Sequence, residues 1–252
     1  MQIIKIFSLL LVFFMAITSS VQASNKTEPR PISTVMNEQD PYEDFNRAMF
    51  EFNLKFNDSI GIPVSNTYKT IVPQPARTGI SNFFDNLTTP ISAVNCFLQG
   101  KVECGLSEIM RFSINTTFGF FGILDIAEPA GLKAKNEDLG HTLYHWGFWD
   151  NSSYLVLPIL GPYTTRGLTG RVIDSSYDPT YNYLIKTDDQ GRILLFTANG
   201  IVQLSKVSDL LPQIKNQPDP YIFSRESYLQ LRTNDIYDGK APQPSLDDFI
   251  FD

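Results

Sequence analysis

Proline and glycine punctuate this 252-residue chain so closely after Phe56 that the apolar periodicity between them has room only for short helices. Pro63 and Val72-Pro73-Gln74-Pro75 bound one piece carrying Val64, Tyr68 and Ile71. Pro75 opens a second, with Ile80, Phe83, Phe84 and Leu87 on one face, and Thr89-Pro90 opens a third, with Ile91, Val94, Phe97 and Leu98, which Gly100 ends. A fourth runs from about Val102 to Thr117 and is expected to turn Leu106, Ile109, Met110 and Ile114 inward. Upstream, Asp40-Pro41-Tyr42-Glu43 reads as an N-cap, a proline in the first turn and a glutamate three residues on. It opens a helix striped by Phe45, Ala48, Met49, Phe52 and Phe56.

The pattern changes at Phe118 to a glycine-punctuated apolar run ending at Ala127. Its phenylalanines Phe118, Phe120 and Phe121 cannot all face one core, so the run is either a buried connector or a loop that contacts lipid. A second proline- and glycine-rich region spans Trp146 to Gly170 and holds Tyr154-Leu155-Val156-Leu157-Pro158 and Gly161-Pro162. A longer helical pattern follows Asp178-Pro179, carrying Ile193, Leu194, Ile201, Leu204, Val207 and Leu211. Asp219-Pro220-Tyr221 then caps a last helix to about Arg232. The chain thus divides into four parts: an export signal over residues 1–23, a polar linker over 24–39, one all-α domain over 40–232, and an acidic tail over 233–252.

The signal is read from basic Lys5, an apolar core from Ile6 to Ile17, and a small polar end at Val21-Gln22-Ala23. A core of about 12 residues falls short of the roughly 20 needed to span a bilayer. No cysteine follows it, so no acyl anchor is expected at the new N-terminus of the exported chain. The formal charge of −7 disfavours nucleic acid as a partner. With 19 Phe and 11 Tyr but no long uncharged apolar stretch after residue 23, the chain suits attachment to a membrane through helix faces.

Catalytic signatures are weak. No Gly-x-Ser-x-Gly elbow occurs, and Gly79-Ile80-Ser81 and Gly105-Leu106-Ser107 lack the second glycine, so no enzymatic activity is expected. His141 and His145 have the spacing of a metal pair on one helix face, but the residue after His141 is Thr142 rather than the Glu of a zincin. Neither metal nor cofactor is therefore expected. Cys96 and Cys104 lie four residues either side of Gly100. An antiparallel turn there would bring them together as a disulfide, and two buried thiols are the alternative. Arg47, Arg77, Arg111 and Arg166 interrupt apolar patterns, as surface ion-pair partners or as guanidinium groups for a phosphate headgroup.

Ordered motifs then carry a resemblance. Asp40-Pro41-Tyr42-Glu43-Asp44-Phe45-Asn46-Arg47, Val72-Pro73-Gln74-Pro75-Ala76-Arg77, Ser81-Asn82-Phe83-Phe84, Leu98-Gln99-Gly100, Arg111-Phe112 with Asn115, Glu137-Asp138-Leu139-Gly140-His141, Gly161-Pro162 with Arg166, and Asp219-Pro220-Tyr221 occur in the order of the MlaA/VacJ family. The resemblance implies a helical ring in the inner leaflet of the outer membrane with a central amphipathic channel. Phospholipids misplaced in the outer leaflet would pass through it to a soluble periplasmic carrier, often beside a trimeric porin. Asn46, Arg47, Arg77, Asn82, Arg111, Asn115 and Arg166 become candidates for the headgroup path, and Phe118, Phe120 and Phe121 for the lipid-contacting loop. An envelope protein that binds a porin without moving lipid is the alternative. The chain departs from the family's pattern in three places: it lacks the acylated N-terminal cysteine, its stretch from Gly147 to Tyr154 is longer and poorer in glycine, and Gly167 stands where an aspartate commonly follows Arg166.

Overall fold

The computed structural model describes residues 40–149, 151–177 and 189–241; the expected export signal, the linker and the end of the acidic tail lie outside them. Helix α1 (Glu43–Phe56) continues through a π-helical turn (Asn57–Gly61) into α2 (Ile62–Ile71), which carries Pro63 in its first turn. Pro63 has no N–H to give to the turn before it, and it stands directly after the π turn, where the α-helical pairing is already interrupted. Asp40 does not cap α1. Its carboxylate instead receives Asn46 Nδ2 at 2.7 Å and the hydroxyl of Tyr221, holding the start of the domain to its last helix.

The two pieces expected on either side of Pro90 are one helix, α3 (Gln74–Leu98), with Pro90 inside it. Pro90 removes one backbone donor. The hydroxyls of Thr88 and Thr89 donate to the Asp85 carbonyl at 2.9 and 3.2 Å, adding bonds in the turn the proline interrupts. Gly100, at φ +74°, turns the chain back into α4 (Val102–Thr117), which packs along α3. Cys96 and Cys104 are bonded across this turn.

After α5 (Leu139–His145) comes an element that corrects the all-α expectation. Strands β1 (Tyr154–Leu157) and β2 (Gly161–Thr164) form an antiparallel hairpin with Tyr154 opposite Thr164 and Leu157 opposite Gly161. The free edge of β1 is covered by side-chain amides of α1. Asn46 donates to Tyr154 O at 3.0 Å and accepts from Val156 N at 2.8 Å, and Asn53 does the same for Leu157 O and Ile159 N. Helix α1 thus supplies the backbone pairing that a third strand would have given. Helices α6 (Thr165–Tyr177), α7 (Asp189–Lys215) and α8 (Pro220–Ile236) complete the domain, which remains mostly helical. Asp219 caps α8 as expected, accepting from Tyr221 N and Ile222 N, and α8 continues past Arg232 to Ile236.

Apolar packing gathers in two small clusters. One joins Tyr154 and Val156 of β1 to Tyr221 and Leu229 of α8; the other joins Phe84 and Leu87 of α3 to Val202 of α7.

Candidate functional site

The polar faces of these helices point inward. On α1 the buried side chains are Asn46 and Asn53, followed by Asn57 in the π turn. On α3 they include Asn86, Thr89, Ser92, Asn95 and, at its end, Gln99, and on α4 they are Glu108, Arg111 and Asn115. Many apolar side chains of the same helices are exposed: Phe45 and Phe52 on α1, Val94 and Leu98 on α3, and Leu106, Ile109 and Met110 on α4. The expected direction of α4 is therefore reversed. Periodicity locates a stripe on a helix but not the medium it faces.

Burying polar side chains costs free energy unless each finds a partner, and here they form connected networks. In the first, Glu137 accepts from Gln99 Nε2 at 2.9 Å, pairs with Lys101 Nζ at 3.1 Å and lies 3.0 Å from His141 Nδ1. Burial alone would raise the Glu137 carboxyl. The hydrogen bonds from His141 and Gln99, with the charges of His141 and Lys101, outweigh it and hold the group at about 2. Asp138 caps α5 through His141 N and takes a two-pronged contact from Arg232 at 2.6 and 2.8 Å. Against the same opposing burial, the Arg232 charge brings it to about 2. Asn95 extends the network through Thr142 and Asp174.

The second network pins the loop after α4. Arg111 holds Asp125 at 2.9 Å, Glu128 at 3.3 Å and the Leu132 carbonyl. Asn115 donates to Asp125 at 2.9 Å and accepts from Ile126 N and Ala127 N. Gly122 fits against Asn86, where a Cβ would lie 2.5 Å from the asparagine side chain. From this anchored base Phe118, Phe120 and Phe121 project into the surroundings, Phe121 at 74% exposure. Phe120 and Phe121 both have positive φ, +52° and +59°, a conformation that costs on the order of 1–3 kcal/mol per residue. The run is an exposed aromatic loop, not a buried connector.

The sequence-derived candidates are not brought to one point. Asn46 serves β1. Arg47 pairs with Glu43 at 2.7 Å and Asp219 at 3.1 Å and lies over the Tyr221 ring, and those carboxylates raise its guanidinium further above its ordinary value. Arg111 and Asn115 meet at Asp125, and Asn82 donates to Ile123 O at 3.1 Å, fixing the same aromatic loop from α3. Arg166 is fully buried, donates to Trp149 O at 2.8 Å and stacks on Tyr144. Arg77, in the first turn of α3, forms no ion pair among the described residues, and its Nε has no partner. His141 is buried beside Glu137, and His145 is exposed.

Of the inward side chains the sequence singles out Asn46 but not Asn53, Asn57, Asn86 or Arg232, and it holds Glu137 and Asp138 only as part of a motif. A signal existed: Asn46, Asn53 and Asn57, each one residue on from Phe45, Phe52 and Phe56, make an amide stripe beside the phenylalanines of α1, where a water-facing stripe carries charge.

A family model described as MlaA lipoprotein matches residues 38–235. The intermembrane phospholipid transport system lipoproteins MlaA of Shigella flexneri and Escherichia coli (strain K12) are each 36% identical over 209 residues, covering 81% of this chain and 81% of theirs. A solved structure bearing on the maintenance of bacterial outer membrane lipid asymmetry matches with a TM-score of 0.67 and 34% identity, over 80% of this chain and 99% of that one.

Proposed function

The chain belongs to the MlaA lipoprotein family, a lipid-transport and not an enzyme family, and from that premise we propose that it removes misplaced phospholipid from the outer leaflet of the outer membrane. It does so as a helical ring seated in the periplasmic leaflet, with a polar channel through which lipid passes to a soluble periplasmic carrier. A trimeric porin is the proposed neighbour in the membrane.

The observation that carries this reading is the inversion of the helices. A headgroup crossing a membrane must keep partners for its charge and its hydrogen bonds, and bare hydrocarbon supplies none. Helices that turn Asn, Ser, Thr and Gln inward and Phe, Leu, Ile and Met outward provide a polar interior inside an apolar coat. Burial of that coat among acyl chains, at about 25 cal/mol per Å², holds the protein in the leaflet without attraction between its negative charge and anionic lipid.

On this reading the arginines have different roles, supported by their different partners. Arg47 and Arg111 are neutralised by carboxylates and act as fasteners. Arg77 has no ion-pair partner among the described residues and an unpartnered Nε, which supports its assignment here to a passing phosphate.

The test is a deletion strain complemented with wild type, Arg77→Glu, or Phe120→Ala with Phe121→Ala, each checked for folding. Outer-leaflet phospholipid is read by surface labelling, and barrier integrity by sensitivity to detergent with chelator. Deletion should raise surface phospholipid and break the barrier, wild type should restore both, and the two folded variants should restore little. An unchanged surface in the deletion strain would falsify lipid removal and leave an envelope protein that binds a porin without moving lipid. Full rescue by Arg77→Glu would take Arg77 out of the path.

A further inference from the structure

Helices α2 and α7 run antiparallel, with Asp58 beside Lys215 at 2.5 Å and Ser65 beside Ser208 at 2.7 Å. Along α2 an open groove of about 380 Å³ lies between Pro63, Val64, Tyr68, Ile71 and Val72 on one side and Ile201 on the other.

The lining restricts what can lie there. No charged side chain lines the groove. Thr67, its one aliphatic hydroxyl, donates to the Pro63 carbonyl at 2.9 Å within α2. The backbone groups of both walls are committed to their helices, so an extended peptide would find no ladder to join. A helix about 10–12 Å across is too wide for such a volume. At the roughly 30 Å³ that a water molecule occupies in the liquid, the groove holds about a dozen heavy atoms, near the small end of ligand pockets. One polar atom is incomplete: the Tyr68 hydroxyl is shielded from solvent and has no partner. The mouth runs onto Ile71, which is 73% exposed, so the groove is continuous with the apolar exterior.

We propose that this groove is an accessory lipid site, in which one acyl chain of a membrane phospholipid lies between α2 and α7 with its headgroup outside. The inference rests on the membrane-seated reading above and adds a second place on the molecule where lipid is held. A chain fits because its chemistry is that of the walls, flexible and apolar along its length.

The experiment uses the full protein in phosphatidylethanolamine/phosphatidylglycerol vesicles that contain a phosphatidylethanolamine with a diazirine near the end of one acyl chain. Irradiation followed by peptide mapping reads the positions of the adducts. Adducts should concentrate on residues 67–72 and on Ile201, and Val64→Trp, which fills the groove, should lower them about tenfold. Adducts at Leu106–Met110 on the exposed face of α4 should persist in that variant. Ile201→Phe, a smaller change, is the second variant should Val64→Trp fail to fold, and it should lower the groove adducts severalfold.

Groove adducts that are absent or insensitive to both variants, beside strong adducts on α4, would overturn this site and leave the membrane reading standing. Adducts on neither surface would overturn both. Labelling of the groove by a free diazirine fatty acid, but not by the phospholipid, would also overturn the assignment to membrane phospholipid.

Discussion

Glu137 and Asp138 stand next to each other and hold four elements together. Glu137 takes Gln99 at the end of α3, Lys101 from the turn into α4, and His141 of α5, while Asp138 takes Arg232 of α8. Both carboxyls lie near 2, below their ordinary 4.5 and 3.8, so the folded state favours their ionised forms. The stability they contribute is complete above about pH 4.5 and disappears as the pH falls toward 2, because protonation of the native carboxyls ends the preference. Urea unfolding followed by circular dichroism from pH 7 to pH 2.5 should therefore show a steep acid limb. Glu137→Gln with Asp138→Asn should cost on the order of 3–5 kcal/mol at pH 7, since Arg232 and Lys101 lose buried partners, and should flatten that limb. A double variant with the acid limb of wild type would remove these residues from the account. In sequence the pair was legible only as part of a motif, since nothing local says that Glu137 meets Gln99 across 38 positions.

Among elements, α5 and α6 approach most closely through glycine. A Cβ on Gly170 would stand 2.3 Å from Gly140 N and 3.0 Å from Gly140 Cα, and one on Gly140 would meet Gly167 Cα at 3.0 Å. The obstruction at Gly170 is backbone, which no rotamer change relieves. Gly170→Ala should destabilise by about 1–3 kcal/mol and lower the thermal midpoint, whereas Gly191→Ala, with open space around it, should not destabilise. Equal midpoints for the two variants would contradict this packing. The elements were unevenly legible. The bounds of α4 follow from Gly100 and the glycine-rich run, and the start of α8 from Asp219-Pro220. The break expected at Pro90 fails because α3 is held along its length by α4, and packing of this kind overrides a single missing donor. The hairpin was missed because Tyr154-Leu155-Val156-Leu157 is too short to separate strand from helix by period, and its outer edge is closed by amides more than a hundred residues away.

At the scale of the whole molecule, the apolar surface faces the wrong way for a protein surrounded by water. The described residues contain no helix long and apolar enough to cross a membrane, yet α1, α3, α4, α7 and the loop after α4 all expose large apolar side chains. The partial immersion proposed above would reconcile the two facts, with short helices whose apolar faces meet acyl chains and whose polar faces meet one another. Periodicity in sequence gives the stripes, and the uncharged amides beside them point to the inversion, but only the family resemblance suggests the surrounding medium. The most direct measurement is site-directed spin labelling in phospholipid vesicles, comparing collision of the nitroxide with oxygen against collision with a water-soluble nickel chelate. Labels at Leu106, Ile109, Met110 and Phe121 should show high oxygen and low nickel accessibility, as acyl-chain positions do, while Glu51 on the polar exterior of α1 should show the reverse. Nickel accessibility at the four apolar positions equal to that at Glu51 would contradict an apolar coat seated in the membrane.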